Sequence, residues 1–163
     1  MITIRPAREA DLPEILLIYN DIILHTTAVY DYHPHTPDMR RAWYEGKMKD
    51  GYPVFVAEEE GKVVGFSSMG PFRAWAAYKY TVENSIYVAS DRRGKGIGKA
   101  LLQHMAVIAR EHNCFSMHWE VLDGNMTAID FYRSLGARIG NRWLPVLLMG
   151  RAFEELASEE SLS

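Results

Sequence analysis

The sequence predicts an α/β fold, a mixed central sheet flanked by helices. Three observations predict it. Apolar spacing switches between the roughly 3.6-residue period of helices and the roughly 2-residue period of strands, in the order βααβββαβαβ. Two segments open with helix-start signals, Asp11 ahead of Pro13 and Thr36 ahead of Pro37. Residues 86–109 read as strand, glycine turn and helix without interruption.

Ile2–Arg5 is a short strand. Asp11 is expected to cap the first helix, with Leu12, Ile15, Leu16, Tyr19, Ile22 and Ile23 as its apolar stripe. Residues 26–35 are loop-like. Thr36 and Pro37 open a second helix that runs to about Lys49. Val54–Glu58 and Lys62–Gly70 are strands joined by a tight turn through Glu59, Glu60 and Gly61. Phe72–Lys79 is a loop of aromatic and small residues, and Tyr80–Val88 is the fourth strand. The helix from Ile97 turns Leu101, Met105 and Ile108 inward. Phe115, Met117, Trp119 and Val121 alternate with Ser116, His118 and Glu120, the pattern of a half-buried strand. Asp123, Gly124 and Asn125 form a turn, and Thr127–Leu135 is a short helix ended by Gly136. Arg142–Met149 is expected as a last strand, Ala152–Ala157 as a helical turn and 158–163 as a frayed tail.

The 163 residues fit a single domain, 1–163. Its 48% apolar and 24% charged residues are those of an ordinary globular protein. A net charge of −3 lacks the basic excess of a general nucleic-acid binder. Cys114 has no second cysteine to pair with and is expected to be a buried, inert thiol. His33 and His35 lie in a loop with no evident third ligand, so no metal is expected. No apolar run reaches the ~18 residues of a membrane span, and the N-terminus shows no signal-peptide pattern. A cytoplasmic enzyme without membrane partners is therefore expected. Trp43, Trp119 and Trp143 read as core or interface residues. Lys47, Lys49, Lys62 and Glu58–Glu60 read as solvated charge.

The chemistry concentrates in the glycine turn. Gly94, Gly96 and Gly98 fall at every second position ahead of a helix start, with Arg92, Arg93, Lys95 and Lys99 around them. Such a loop can aim several N–H groups at one point, and the positive end of the helix dipole faces the same point. The pattern is a pyrophosphate cradle. Lys99 stands where the third glycine of a dinucleotide fingerprint would fall. A nucleoside-triphosphate loop is also excluded, since Ala100 follows Gly98-Lys99 where a magnesium-binding hydroxyl is required.

The remaining pattern, Arg-x-x-Gly-x-Gly at Arg93, Gly96 and Gly98, resembles the coenzyme A pyrophosphate loop of the GNAT superfamily of N-acetyltransferases. The element order, with this loop between strand 4 and the following helix, is similar to the GNAT fold. In the first half, Gly51-Tyr52-Pro53-Val54, Gly70-Pro71-Phe72-Arg73 and Tyr80–Val88 resemble phosphinothricin and methionine sulfoximine acetyltransferases. In the second half, Trp119–Asn125, Ala128–Arg133 and Leu135-Gly136-Ala137 look more like diamine and polyamine acetyltransferases.

The resemblance implies acetyl-CoA as co-substrate, no metal, and a small-molecule amine as acceptor. It places the coenzyme on Ile86, Tyr87, Val88, Arg93, Gly94, Lys95, Gly96, Ile97, Gly98, Lys99 and Asn125. A bulge near the fourth strand is expected to splay two strands for the pantetheine arm. The N–H near Val88 is a possible oxyanion donor.

Amines are mostly charged at neutral pH, so a base is useful. The resemblance assigns that role to Glu83 and the proton donation to the departing thiolate to Tyr132. Arg73 suits a substrate carboxylate or phosphinate. Trp75 stands where the family keeps a second arginine. The polyamine enzymes carry their base one position later, at Asn84 here, and adjacent strand residues face opposite ways.

The expected function is acetyl transfer to a small amino-acid-like amine, by direct attack with both substrates bound, since no nucleophilic cysteine or serine stands out. Diamine or polyamine acetylation, and a non-catalytic acyl-CoA sensor on the same fold, are the alternatives. A homodimer is expected by analogy.

Overall fold

The computed structural model describes residues 1–140, apart from 27, 30 and 79. The expected strand Arg142–Met149, the turn Ala152–Ala157 and the tail 158–163 lie outside the described residues. The chain groups into two compact units, Met1–Leu122 and Asp123–Ser163.

The first unit runs β1 (Ile2–Pro6), α1 (Leu12–His25), α2 (Pro37–Lys49), β2 (Val54–Glu59), β3 (Lys62–Pro71), β4 (Thr81–Val88), α3 (Ile97–Glu111) and β5 (Ser116–His118). The strands form one sheet in the order β1-β2-β3-β4-β5. All neighbours are antiparallel except the parallel pair β4–β5.

Local signals set most boundaries. The Thr36 side chain accepts from the Met39 N–H, and Pro37 fills the first helical position, so α2 starts where expected. Glu60 and Gly61 have φ of 52° and 78°, the paired left-handed residues that join twisted hairpin strands.

Asp11 departs from expectation. It precedes α1 but makes no side-chain cap. Its carboxylate instead accepts two hydrogen bonds from the Arg5 guanidinium, at 2.7 and 2.8 Å, and a third from the Arg8 N–H at 2.7 Å. The bidentate pair with the guanidinium takes the carboxylate that would otherwise cap the helix. Arg5 also reaches Glu58, so Glu58 is not free solvated charge.

The sheet separates two cores. On one face Ile15, Ile18 and Ile22 of α1 pack with Val54, Val56 and Phe66, and Trp43 of α2 lies against them. Ile18 is buried where Leu16 was expected to be. On the other face Ile97, Leu101 and Met105 of α3 cover Phe55, Ala57, Val64 and Val82. Each such fully buried side chain contributes about 1.5–3 kcal/mol.

The fifth strand is shorter than its alternation suggests. Phe115, expected inside, is 86% exposed. It precedes the strand, donates its N–H to the Tyr80 carbonyl, and sets its ring 5.4 Å from that of Tyr80.

In the second unit, α4 (Met126–Ser134) is capped by the Asn125 side chain, which accepts from the Ala128 N–H at 3.2 Å. Gly136 follows it with φ of 82°.

Candidate active site

The residues of the glycine turn before α3 fold as their types require. Gly94 and Gly96 have φ of 76° and 80°, a region costly for side-chain-bearing residues. Gly96 is also the N-cap of α3, and no acidic residue stands in that helix's first turn. Arg93, Lys95 and Lys99 are exposed around it. The arrangement fits a pyrophosphate: backbone N–H groups, a helix N-terminus and exposed cations, of which Arg93 donates from Nε to the Val88 carbonyl at 3.4 Å. Gly98 differs from the other two. It is helical, and a Cβ there would make ordinary contact with Val88, 3.8 Å away. Arg92 is drawn off to Glu59, at 3.2 Å, and to Asp91.

Beside the loop, β4 has one open stretch. It pairs with β5 only over Thr81–Glu83 and Ser116–His118. From Asn84 onward, among the described residues, it pairs with β3 alone. The two strands part here without a register shift between β3 and β4; the irregularity of the sheet lies between Ala57 and Glu58 of β2. The side chains of Ile86 and Val88 pack on the α3 side and Tyr87 on the α1–α2 side. A ligand along this edge therefore meets mainly backbone, with the Arg93 side chain at the Val88 carbonyl.

Glu83 stands on the α1–α2 face, because its neighbour Val82 is buried in the α3-side core. Its carboxylate borders a cavity of about 120 Å³ lined by Lys47, Ser68, Met69, Gly70, Glu83 and Ser85. The Lys47 ammonium donates to the Met69 carbonyl at 2.6 Å. Burial pulls the Lys47 pKa below the usual lysine range, against the opposing pull of Glu83 and Asp50. Lys47 is thus no solvated charge. Its position was legible in outline: Arg40, Trp43, Tyr44 and Lys47 share one helical face. Asn84 points the other way, 5% exposed, with its amide nitrogen unpartnered.

Two turns before Lys47 on α2 lies a second basic group, among aromatic rings. Buried Arg40 sets its guanidinium 3.9 Å from the Tyr19 ring centroid and 4.7 Å from that of Trp43. It donates to Nδ1 of His35 at 3.1 Å, and His35 Nε2 then faces Asp31 at 2.7 Å. Both ring nitrogens of His35 are thereby used. Among the described residues no group of three His, Cys, Asp or Glu could hold a metal.

Arg73 does not share the Glu83 cavity. It is exposed beside Phe72 and lines a second cavity of about 460 Å³, walled on the α3 side by Val82, Ile108 and Cys114. Cys114 is half-buried rather than enclosed. Trp75 is 66% exposed, 6.2 Å from the Tyr78 ring. In the second unit Tyr132 sits on α4 next to Phe131, and burial raises its phenol pKa above the ordinary value.

Known proteins share this architecture. The Acetyltransferase (GNAT) family matches residues 18–137. An L-methionine sulfoximine/L-methionine sulfone acetyltransferase of Pseudomonas paraeruginosa is 38% identical over 158 residues, 90% of this chain and 92% of the relative. The crystal structure of an N-acetyltransferase from Staphylococcus aureus Mu50 is 44% identical with a TM-score of 0.81, covering 83% of this chain and 82% of that one. A phosphinothricin acetyltransferase from Sinorhizobium meliloti, solved with acetyl-CoA, is 34% identical with a TM-score of 0.78, covering 83% and 74%.

Proposed function

The chain belongs to the GNAT acetyltransferase family and is an acetyl-CoA-dependent N-acetyltransferase, and from that premise we propose that its acceptor is the amine of a small amino-acid-like molecule of the methionine sulfone, methionine sulfoximine or phosphinothricin type. The observation that carries this reading is the cavity at Glu83, which is small, polar and bordered by one carboxylate and one ammonium. The names of the relatives point the same way.

Acetyl-CoA supplies the acetyl group as an activated thioester. In this reading Glu83 takes the proton of the acceptor ammonium, directly or through one water, and leaves a neutral nitrogen. The N–C bond then forms as the C–S bond breaks, and the nitrogen sheds its second proton as it becomes an amide, which balances the proton the thiolate gains. Tyr132, protonated at neutral pH, is assigned the return of a proton to the thiolate, and Asn125 a contact to the pantetheine arm; both rest on the resemblance. Arg93, Gly94, Lys95, Gly96, Ile97, Gly98 and Lys99 are assigned to the pyrophosphate. The free edge at Ile86, Tyr87 and Val88 is assigned to the pantetheine. The resemblance assigns Arg73 and Trp75 to the acceptor as well, although both line the α3-side cavity and not the one at Glu83.

The family match runs across residues 122 and 123, which supports reading 1–163 as one domain. A cytoplasmic homodimer completes the proposal. Exposed Trp75, Tyr80 and Phe115 offer apolar surface to a second copy. Among the described residues, no helix is long and apolar enough to cross a membrane.

Thiol release from acetyl-CoA, measured against amino-acid analogues, polyamines and peptides, tests the reading. Turnover with methionine sulfone or its analogues is expected. Turnover confined to polyamines, or none with any amine, overturns it.

A further inference from the structure

An amino-acid acceptor presents two opposite charges joined through a single carbon. A pocket that reads both must set an anion and a cation a few ångströms apart in one small space. Among the described residues the Glu83 cavity carries one of each on its lining, Glu83 as the anion and Lys47 as the cation, and the carboxylate acts electrostatically on the ammonium. Arg73, the cation suggested by the sequence, opens onto the other cavity, on the α3 side of the sheet. Arg40 lies on the Glu83 side, but it is 2% exposed and engaged by Tyr19, Trp43 and His35.

We infer that the Lys47 ammonium receives the acceptor's carboxylate while Glu83 faces its amine. This rests on the function proposed above and names the residue that makes it selective for amino acids. The geometry supports it at three points. Lys47 uses one of its three donors on the Met69 carbonyl, which fixes the ammonium and leaves two donors. Gly70 leaves the space the ammonium occupies, since a Cβ there would lie 2.8 Å from Nζ. The cavity, about 120 Å³, equals about four waters, enough for a compact polar head group. A polycation would meet the Lys47 ammonium and be repelled.

The test compares methionine sulfone with 3-(methylsulfonyl)propan-1-amine, which lacks only the carboxylate. Steady-state thiol release is measured for the parent, Lys47→Met, Lys47→Arg and Gly70→Ala. In Lys47→Met, kcat/KM for methionine sulfone is expected to fall about 10- to 100-fold, the loss of one hydrogen-bonded charge contact. For the decarboxylated amine it should change less than about 3-fold, removing the discrimination between the two. Lys47→Arg should restore most of it. Equal losses on both acceptors in Lys47→Met and Gly70→Ala, with parent turnover intact, overturn this inference and leave the proposed function standing. Parent turnover of the amine alone overturns the proposed function, and this inference falls with it.

Discussion

Gly70 and Lys47 fill one space: a Cβ on Gly70 would lie 2.8 Å from the Lys47 ammonium. The neighbour is the tip of a flexible side chain, not backbone. Gly70→Ala should therefore leave the fold intact and displace the ammonium. The expected outcome is an unfolding midpoint within a few degrees of the parent, an unchanged KM for acetyl-CoA and a raised KM for the amino-acid acceptor. Thermal unfolding and steady-state kinetics check it.

Glu83→Gln removes the assigned base but keeps the shape. A drop in kcat of about 10²- to 10⁴-fold is expected at neutral pH. The deficit should shrink as pH rises and the acceptor amine loses its own proton. A pH–rate profile parallel to the parent's would strip Glu83 of this role.

Lys47 sets a second pH dependence. Burial lowers its pKa, with Glu83 on β4 and Asp50 at the end of α2 opposing. A base with a depressed pKa loses its charge earlier as pH rises. The KM for the amino-acid acceptor should thus climb below the ~10.4 of an ordinary lysine. Lys47→Arg keeps its charge throughout and should flatten that climb. Comparing KM against pH in the two proteins is the measurement.

The two loop glycines should separate by experiment. Gly96→Ala forces a side chain into φ of 80° at the start of α3, costing about 1–2 kcal/mol. A lower unfolding midpoint and a higher KM for acetyl-CoA are expected together. Gly98→Ala meets only an ordinary contact with Val88. Its stability should match the parent's, so any rise in its KM for acetyl-CoA reports the added methyl against the coenzyme.

Asp11 ties acid stability to the fold. The Arg5 guanidinium holds its carboxylate below the usual range. A carboxylate with a depressed folded pKa stabilises fully above its unfolded value, near ~3.9, and that stability is lost as pH falls through the folded value. Asp11→Asn should cost about 1.5–3 kcal/mol at neutral pH and weaken the pH dependence of unfolding below about pH 4. Denaturant titrations at pH 7 and pH 3 read both effects.

The sequence by itself determined the parts governed by short-range rules. Thr36-Pro37 placed the start of α2, Glu60-Gly61 the hairpin, and the glycines before Ile97 the turn into α3, because caps, turns and left-handed residues depend on neighbours in the chain. Strand alternation likewise put Glu83 and Asn84 on opposite faces. Only the tertiary structure decided which side chains meet across elements. Lys47 looked like solvated charge until α2 set it against β3 beside Glu83. Asp11 looked like a cap until β1 brought Arg5 within 2.7 Å. Phe115 alternated like a core residue, yet the strand begins one residue later and leaves it outside. Arg73 and Glu83, ten residues apart, open onto different cavities. These outcomes depend on three-dimensional distances between residues far apart in the chain, which residue spacing does not encode.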